Sequence, residues 1–386
     1  MVVDENAKLI NRRRFLKRTG WVAAGVTVTG LGAFQGARRL ISSLPTFTGP
    51  NLEDSVIWVQ ALPNGRIQFL APRMEMGQGT AVGLAQIVAE ELNVTQHDID
   101  CILPDTDQLP PFQLTVGSQG IANFFDPVSW GAAQLREALR SLASGKTGLP
   151  KKQLRDTKAG FYLPDGSVLT YADLTADTPL IVPVEDLQSS NDLRRYALNP
   201  RNGFQAIGKN WRHHDIEAII TGKMTYARDV ALPDMAFGAV IYPPAFGAKL
   251  LSVNVTACTS IPGVIGVETQ KGNGFTHILA SSGNDDTAQL SVSHRVESYY
   301  ETPFAAHAAI EPRSGLVWVK DKKVEVWTGT QDPFWVQRRV AKITGRQVKD
   351  VVVHTHRIGG GFGGRVPCQA SEAAARLSAV FKRPVR

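Results

Sequence analysis

Five glycines in six positions surround one aromatic side chain at Gly359-Gly360-Gly361-Phe362-Gly363-Gly364, and Arg365 follows directly. No packed helix or strand interior tolerates such a run without a reason. The β-branched Val351, Val352 and Val353 ahead of it read as a strand, whereas Ala370, Ala374, Leu377 and Phe381 behind it recur at helical spacing. Glycines at a strand-to-helix turn aim backbone N–H groups at an anion such as a phosphate or pyrophosphate. Arg365 either pairs with that anion, or with an anionic substrate, or covers a helix entry. Two more turns of this kind occur, at Met76-Gly77-Gln78-Gly79 and at Gly117-Ser118-Gln119-Gly120. Each adds a carboxamide, Gln78 or Gln119, suited to the edge of a polar heterocycle. A single such turn is commonly a helix cap; three in one chain shift the balance towards a ligand.

Other residues are weaker candidates. Gly359, Gly361 and Gly364 spell G-x-G-x-x-G, but a dinucleotide fold also requires a returning strand and an acidic residue about twenty positions on, and residues 365–386 supply neither. His354 and His356 alternate on one strand face, yet a third metal ligand is not evident, which favours a structural role. His213-His214-Asp215 reads as a solvated turn. Glu75 and Glu311 lie beside Gly or Pro turns and suit either acid–base work or, more commonly, a helix-start cap. Cys101, Cys258 and Cys368 are an odd, widely spaced set, so neither an iron–sulfur cluster nor a zinc site is encoded by cysteine spacing. No G-x-S-x-G, H-E-x-x-H or G-K-[ST] is present.

The elements that must position the glycine turns follow from periodicity. Pro63-Asn64-Gly65 between strands at residues 56–59 and 67–70 predicts a hairpin. Leu84, Ile87, Val88 and Leu92 line one face of a helix, leaving Gln86, Glu90 and Glu91 on its polar side. Residues 112–116 read as a strand before the second turn, and Asp126 as N-cap with Pro127 at the first helical position opens a helix running to Gly145. Residues 146–203 read as a connector and domain boundary. From Ile219 to Val267 the texture is β-rich, and residues 272–291 read as a polar loop. The last segment carries strands around Trp318 and residues 324–327, then a helix over 334–343.

The chain of 386 residues, 43% hydrophobic and 20% charged, is long enough for two or three domains. Residues 1–40 hold eight Lys/Arg against Asp4 and Glu5, which accounts for +6 of the net +7. The remaining chain is nearly neutral, so it has no global electrostatic reason to bind nucleic acid. Arg12-Arg13-Arg14-Phe15-Leu16-Lys17 followed by an uncharged run over 19–37 resembles a twin-arginine export signal. The expectation is a periplasmic protein. No clean small-x-small cleavage site precedes Arg38-Arg39, so a retained, membrane-anchoring segment is the alternative, although its hydrophobicity is low for a stable span.

Four motifs in consistent order carry a family resemblance. They are Glu75-Met76-Gly77-Gln78-Gly79, the stretch from Tyr226-Ala227-Arg228-Asp229 to Pro262-Gly263-Val264, Ala306-His307-Ala308-Ala309-Ile310-Glu311-Pro312, and residues 359–365. Together they resemble the molybdopterin-binding subunits of the xanthine dehydrogenase and aldehyde oxidase (molybdenum hydroxylase) family, in its exported isoquinoline 1-oxidoreductase β-subunit-like branch. The resemblance implies an α+β, multi-domain large-subunit fold. Its segments are a signal over 1–40, a molybdopterin-binding lobe over 50–200, an αβ hammerhead-like domain over 204–290, and the first part of a molybdopterin-binding domain over 291–386.

It also implies a molybdopterin dinucleotide whose dithiolene holds molybdenum, with no metal ligand from this chain. Met76, Gly77, Gln78, Gly79, Gly117, Ser118, Gln119, Gly360, Gly361, Phe362, Gly363 and Arg365 would hold the cofactor, with Phe362 facing metal and substrate. The family oxidises an N-heterocycle or aldehyde with water and passes electrons to a small [2Fe–2S] subunit, in some cases onward to a c-type cytochrome. Its chains are about twice as long, and their catalytic glutamate lies in the C-terminal half. The expectation is therefore an N-terminal part active only with a companion molybdopterin chain. A non-catalytic exported binding or assembly protein, or an inactive truncated remnant, is the alternative. The substrate class stays open at this stage.

Overall fold

The computed structural model describes residues 58–180, 199, 203–241, 255–269 and 306–386. Contacts divide the chain into one unit formed by residues 1–236 and 309–386 and a second formed by 237–308. Strand β1 (Val59–Ala61) pairs antiparallel with β2 (Ile67–Leu70) across the Asn-Gly turn. Gly65 takes φ 76° there, and a Cβ at this position would lie 2.6 Å from the Ala172 nitrogen. Helix α1 (Thr80–Leu92) then crosses over, and β3 (Ile99–Ile102) returns parallel to β2. Irregular chain over 103–124 leads into α2 (Phe125–Thr147).

A small sheet of β4 (Arg155–Thr157), β5 (Gly160–Tyr162) and β6 (Val168–Thr170), followed by α3 (Tyr171–Thr175), packs Leu154, Phe161 and Tyr171 into the same core as Trp58, Phe69 and Leu84. Helix α4 (Ile216–Ile220) comes next in this unit, and α5 (Val255–Thr259) lies in the second.

The path of the first layer is then repeated. Strands β7 (Gly315–Val319) and β8 (Val324–Thr328) are antiparallel, α6 (Pro333–Thr344) crosses, β9 (Val351–Thr355) returns parallel to β8, and α7 (Gln369–Phe381) follows an irregular loop. Both sheets have the same strand order. The turns after β2, β3, β8 and β9 thus occupy equivalent places in two ββαβ layers. Val317, Val324, Val326, Val351 and Val353 pack against Val336, Val340, Ala374 and Ala375. Helix α7 approaches its sheet through a small face of Ser371, Ala374, Ala375 and Ser378, leaving Leu377 and Phe381 half-buried. A Cβ on Gly315 would stand 2.5 Å from the Ser371 hydroxyl, which shows how close that approach is.

Several expectations need correction. Residues 112–116 are not a strand, because their polar backbone groups bond to loop residues instead of a ladder, while β3 escaped the periodicity. Helix α2 starts at Phe125 and not after Asp126: the Phe124 and Phe125 N–H groups already bond to Ile121 O, so the turn runs straight into the helix. It ends at Gly148, in the left-handed region at φ 72°. Glu90 and Glu91 are buried rather than solvated. Glu90 accepts N–H bonds from Gln205, Ala206 and Ile207, and Glu91 accepts from Asn199 and pairs with Arg136. Residues 203–236 therefore belong with the first unit. Among the described residues between 216 and 269 there is no strand, only an isolated bridge from Ala236 to Val385. The N-terminal signal, residues 242–254 and the polar loop over 272–291 lie outside the described residues.

Candidate functional site

The turn after β2 is built over the Glu75 carboxylate, which is fully buried. It accepts N–H bonds from Gly77 and Gly79, each at 3.0 Å, and from Ala81 at 3.1 Å. This anchors the start of α1, where Gly77 and Gly79 take φ 96° and 73°. Glu75 is thus a cap with its oxygens occupied, not an exposed acid or base. Gln78 is exposed, and its carboxamide closes its own loop, accepting from Met76 N at 2.6 Å and donating to Met74 O at 2.8 Å.

The turn after β3 begins at the buried Thr115. Arg73 donates to Gln113 O and Leu114 O at 2.8 Å, and Met74 N donates to the Thr115 hydroxyl at 3.0 Å. Arg73 is 1% exposed with no carboxylate partner among the described residues, and burial lowers its pKa to about 10. Beyond Thr115 the chain surfaces as Gly117, Ser118 and Gln119, all exposed, with Ser118 in the left-handed region at φ 55°. Gln119 accepts from Gln113 and Asn123 side chains.

The turn after β9 is organised by Glu311. Its N–H donates to Gly359 O at 3.1 Å, and its carboxylate accepts from Gly359 N at 2.8 Å. Arg365 is 3% exposed, and its guanidinium donates to the Glu311 carbonyl and to its carboxylate. Burial lowers the Arg365 pKa from its usual value while Glu311 opposes the shift. Arg365 is therefore held by Glu311 beneath the turn. Phe362 does the opposite: it is 74% exposed on a left-handed backbone with φ 52°.

The three turns meet. A Cβ on Gly361 would stand 2.4 Å from Met76 Sδ and 3.0 Å from Gln331 Oε1, and one on Gly120 would stand 2.9 Å from Thr80 Cγ2. Ile358 N donates to Glu75 O at 3.0 Å. Gln331, in the turn after β8, joins the other two and was missed by motif reading. The signal that finds it is the ββαβ repeat, which puts residues 329–332 where residues 71–79 stand in the first layer. The exposed donor set at this junction consists of backbone N–H groups, the Ser118 hydroxyl and two carboxamides. Such a set fits a pterin edge, and backbone N–H groups suit a phosphate; the buried Arg73 braces the second turn through Gln113 O and Leu114 O. Among the described residues, no group of three His, Cys, Asp or Glu side chains is placed to hold a metal ion.

A second polar seam fastens the two layers. His354 Nδ1 lies 2.7 Å from Asp105, its ring stacks on Trp327 at 4.8 Å, and Thr355 N donates to Asp105. Arg357, 5% exposed, pairs with Asp215 and reaches His213 at 2.9 Å, so the His213-His214-Asp215 turn is tied down on one side while His214 stays exposed. Burial lowers the His354 pKa, but the bond to Asp105 and the charges of Asp105, Glu325 and Asp107 outweigh it, leaving it above the ordinary 6.5. A raised histidine contributes its stabilisation in full below the unfolded value and loses it as pH rises through the folded one. The stability gap between wild type and His354→Gln should accordingly be larger at pH 5.5 than at pH 8.5, both about two units or less from that value. Urea melts at the two pH values check this, and an equal gap at both rejects it.

Comparison with known proteins agrees with this geometry. Two family profiles, each described as a Molybdopterin cofactor-binding domain, match residues 7–203 and 268–386. A nicotinate dehydrogenase subunit from Pseudomonas putida is 24% identical over 86% of this chain and 31% of its own length. The beta subunit of isoquinoline 1-oxidoreductase from Brevundimonas diminuta is 23% identical over 100% of this chain and 59% of its own. A membrane-bound, pyrroloquinoline-quinone aldehyde dehydrogenase from Gluconacetobacter polyoxogenes is 23% identical over 91% and 52%. The chain spans between about a third and three fifths of the length of these relatives. With both molybdopterin-binding profiles matched and glycine turns from two repeated layers closing on one place, the chain belongs to the molybdenum-binding subunits of the molybdenum hydroxylase family.

Proposed function

We propose that this chain holds the pterin of a periplasmic molybdenum hydroxylase that oxidises an N-heterocycle or an aldehyde. The observation that carries the reading is the junction of the turns at Met76, Gly120, Gln331 and Gly361. The bound cofactor, in its dinucleotide form, supplies the two-electron redox chemistry. In balance, a substrate C–H becomes C–OH with oxygen from water, two protons are released, and two electrons pass to a [2Fe–2S] partner and from there, in one arrangement, to a c-type cytochrome.

Within this scheme the chain orients and encloses. The N–H groups of residues 117–118 and 360–363 bind the cofactor's polar and anionic groups. Gln78 and Gln119 read its edges after exchanging their present bonds. Met76 and Gly361 set the floor, and Phe362 presents an apolar face to a planar substrate. The proton-accepting carboxylate comes from the companion molybdopterin region. Of the span 204–290, the part from residue 237 onward belongs to the hammerhead-like domain, and the N-terminal twin-arginine segment exports the folded protein.

The names of the nicotinate and isoquinoline relatives favour an N-heterocycle over an aldehyde. The test is co-expression with the companion and iron–sulfur chains, followed by metal and cofactor analysis of the purified complex. Molybdenum with a pterin nucleotide is the expected result. A complex free of pterin, or one carrying pyrroloquinoline quinone, rejects the reading. In that complex Phe362→Ala should lower kcat/KM for a heterocycle about tenfold while shifting stability by less than about 0.5 kcal/mol, because the ring is exposed. Unchanged steady-state kinetics would remove Phe362 from the substrate face.

A further inference from the structure

The near-neutral charge of residues 41–386 is a balance of two unequal parts. Residues 309–386 hold 15 Lys/Arg against six Asp/Glu, whereas residues 41–308 hold 19 against 27. The basic excess gathers at one end of the second layer. The β7–β8 turn, the α6–β9 connection and the residues after α7 meet there: Arg346 donates to Lys320 O at 3.3 Å, and Val324 pairs with Val351. The Ser378 hydroxyl accepts from Val319 N at 2.9 Å and donates to Arg383 O at 2.7 Å. Lys322, Lys323, Lys342, Arg346, Lys349 and Lys382 are exposed in these turns, whose acidic residues are Asp321 and Asp350. Strands β8 and β9 run from this end to the glycine turns, so about 15 Å of strand separates the basic pole from the candidate site.

Helix C-termini attract cations, which accounts for Lys342 and Lys382 at the ends of α6 and α7. It does not account for Lys322 and Lys323 in a strand turn, or for Lys349 just before β9. Val348 and Val380 stand among the cations, 44% and 50% exposed. Five of the six exposed cations are lysines, and the exposed large apolar residues beside them are aliphatic. Protein interfaces are depleted in lysine and anchored by aromatic residues and arginine, and single-stranded nucleic acid needs an aromatic stacking platform. Lysines around aliphatic tips suit an anionic bilayer surface, where phosphate headgroups attract the ammonium groups and the acyl boundary takes the apolar ones.

We propose that this pole docks the chain on a bilayer that carries anionic phospholipid headgroups. On the anchor reading of the N-terminal segment, the uncharged run over 19–37 is low in hydrophobicity for a stable span. A weak anchor holds a protein to a membrane only together with a second attraction, such as a polybasic patch. The pole supplies that second attraction, and it does so whatever ligand the glycine turns hold.

The experiment is sedimentation of the full chain with vesicles of phosphatidylcholine alone, and with vesicles containing about 30% phosphatidylglycerol, at about 0.1 M salt. Binding is expected to the anionic vesicles only, and should weaken as salt is raised to about 0.5 M. The triple variant Lys322→Gln, Lys323→Gln, Lys349→Gln should lower partition onto them about a hundredfold, roughly fivefold for each charge. Its melting temperature should stay at the wild-type value, because all three side chains are exposed. Each single variant should lose about fivefold, which reads the same surface even where the triple variant folds poorly. Lys151→Gln, Lys152→Gln, Lys158→Gln is the matched control: it removes the same charge from exposed positions of the first unit and should bind like wild type.

Equal losses from the two triple variants would mean that net charge alone acts, and wild-type binding by both would place the attraction outside the pole. Either result overturns the proposal, as does binding of a short DNA duplex in preference to the anionic vesicles.

Discussion

Glu75→Ala should lower the stability of the chain by about 2–4 kcal/mol, with increased exchange at the start of α1. The carboxylate is fully buried and accepts N–H bonds from Gly77, Gly79 and Ala81. Hydrogen bonds to a charged acceptor contribute about 1.5–3 kcal/mol each, and the loss is below their sum because Gly77 is exposed and its N–H regains water. A cavity under the turn adds to the cost, since Ala81 and Met74 are buried beside it. Glu75→Gln keeps a single acceptor oxygen and turns an NH2 group towards N–H donors, so it should fall between alanine and wild type. Urea unfolding of the purified chain measures both. A loss below about 1 kcal/mol for alanine would mean that the turn is held by its glycine conformations and not by the carboxylate.

The second large effect is expected at Gly359. A Cβ there would lie 2.5 Å from Glu311 Cβ and 3.5 Å from Glu311 Cα, atoms that cannot swing aside as a side-chain tip can. Gly359 and Glu311 also exchange two hydrogen bonds, so moving either strand of this contact breaks both. Gly359→Ala should cost about 2–3 kcal/mol and displace the buried Arg365 from the Glu311 carboxylate. Molybdenum retention in the assembled complex should fall with it. Gly145→Ala is the matched control: it lies inside α2, and an added Cβ meets nothing within 4 Å. That change should stabilise the chain by about 0.5–1 kcal/mol. Thermal melts of the two variants separate the effect of the turn from that of adding a methyl group; similar shifts would refute the packing argument.

Much of the local structure was legible from residue order. The Asn-Gly hairpin, helix α1 and helix α6 follow from turn chemistry and apolar spacing that act within a few positions. The three glycine turns were visible for the same reason, since few other residues take the left-handed backbone that Gly77, Gly117 and Gly360 adopt. Errors arose where a segment's partners lie elsewhere. Glu90 looked solvent-facing because helical spacing put it opposite Leu84, but residues 205–207 cover it with N–H donors. Residues 112–116 looked like a strand because they are apolar and β-branched, yet their hydrogen bonds go to Arg73, Met74 and Gln331. Strand β3 was overlooked because Ile99-Asp100-Cys101-Ile102 is short and mixed.

Residue order alone carries the family, the glycine turns and the elements that hold them, because motif order and backbone preference are written in neighbouring residues. Tertiary structure decided the roles of individual side chains. It made Glu75 a cap, held Arg365 under Glu311, left Phe362 exposed, and gave Gln331 to Thr115 and Arg365. The physical reason is distance along the chain. A polar group's function depends on which donor or acceptor satisfies it, and for Gln331 and Thr115 that partner lies 216 positions away, brought near only when two repeated layers pack together.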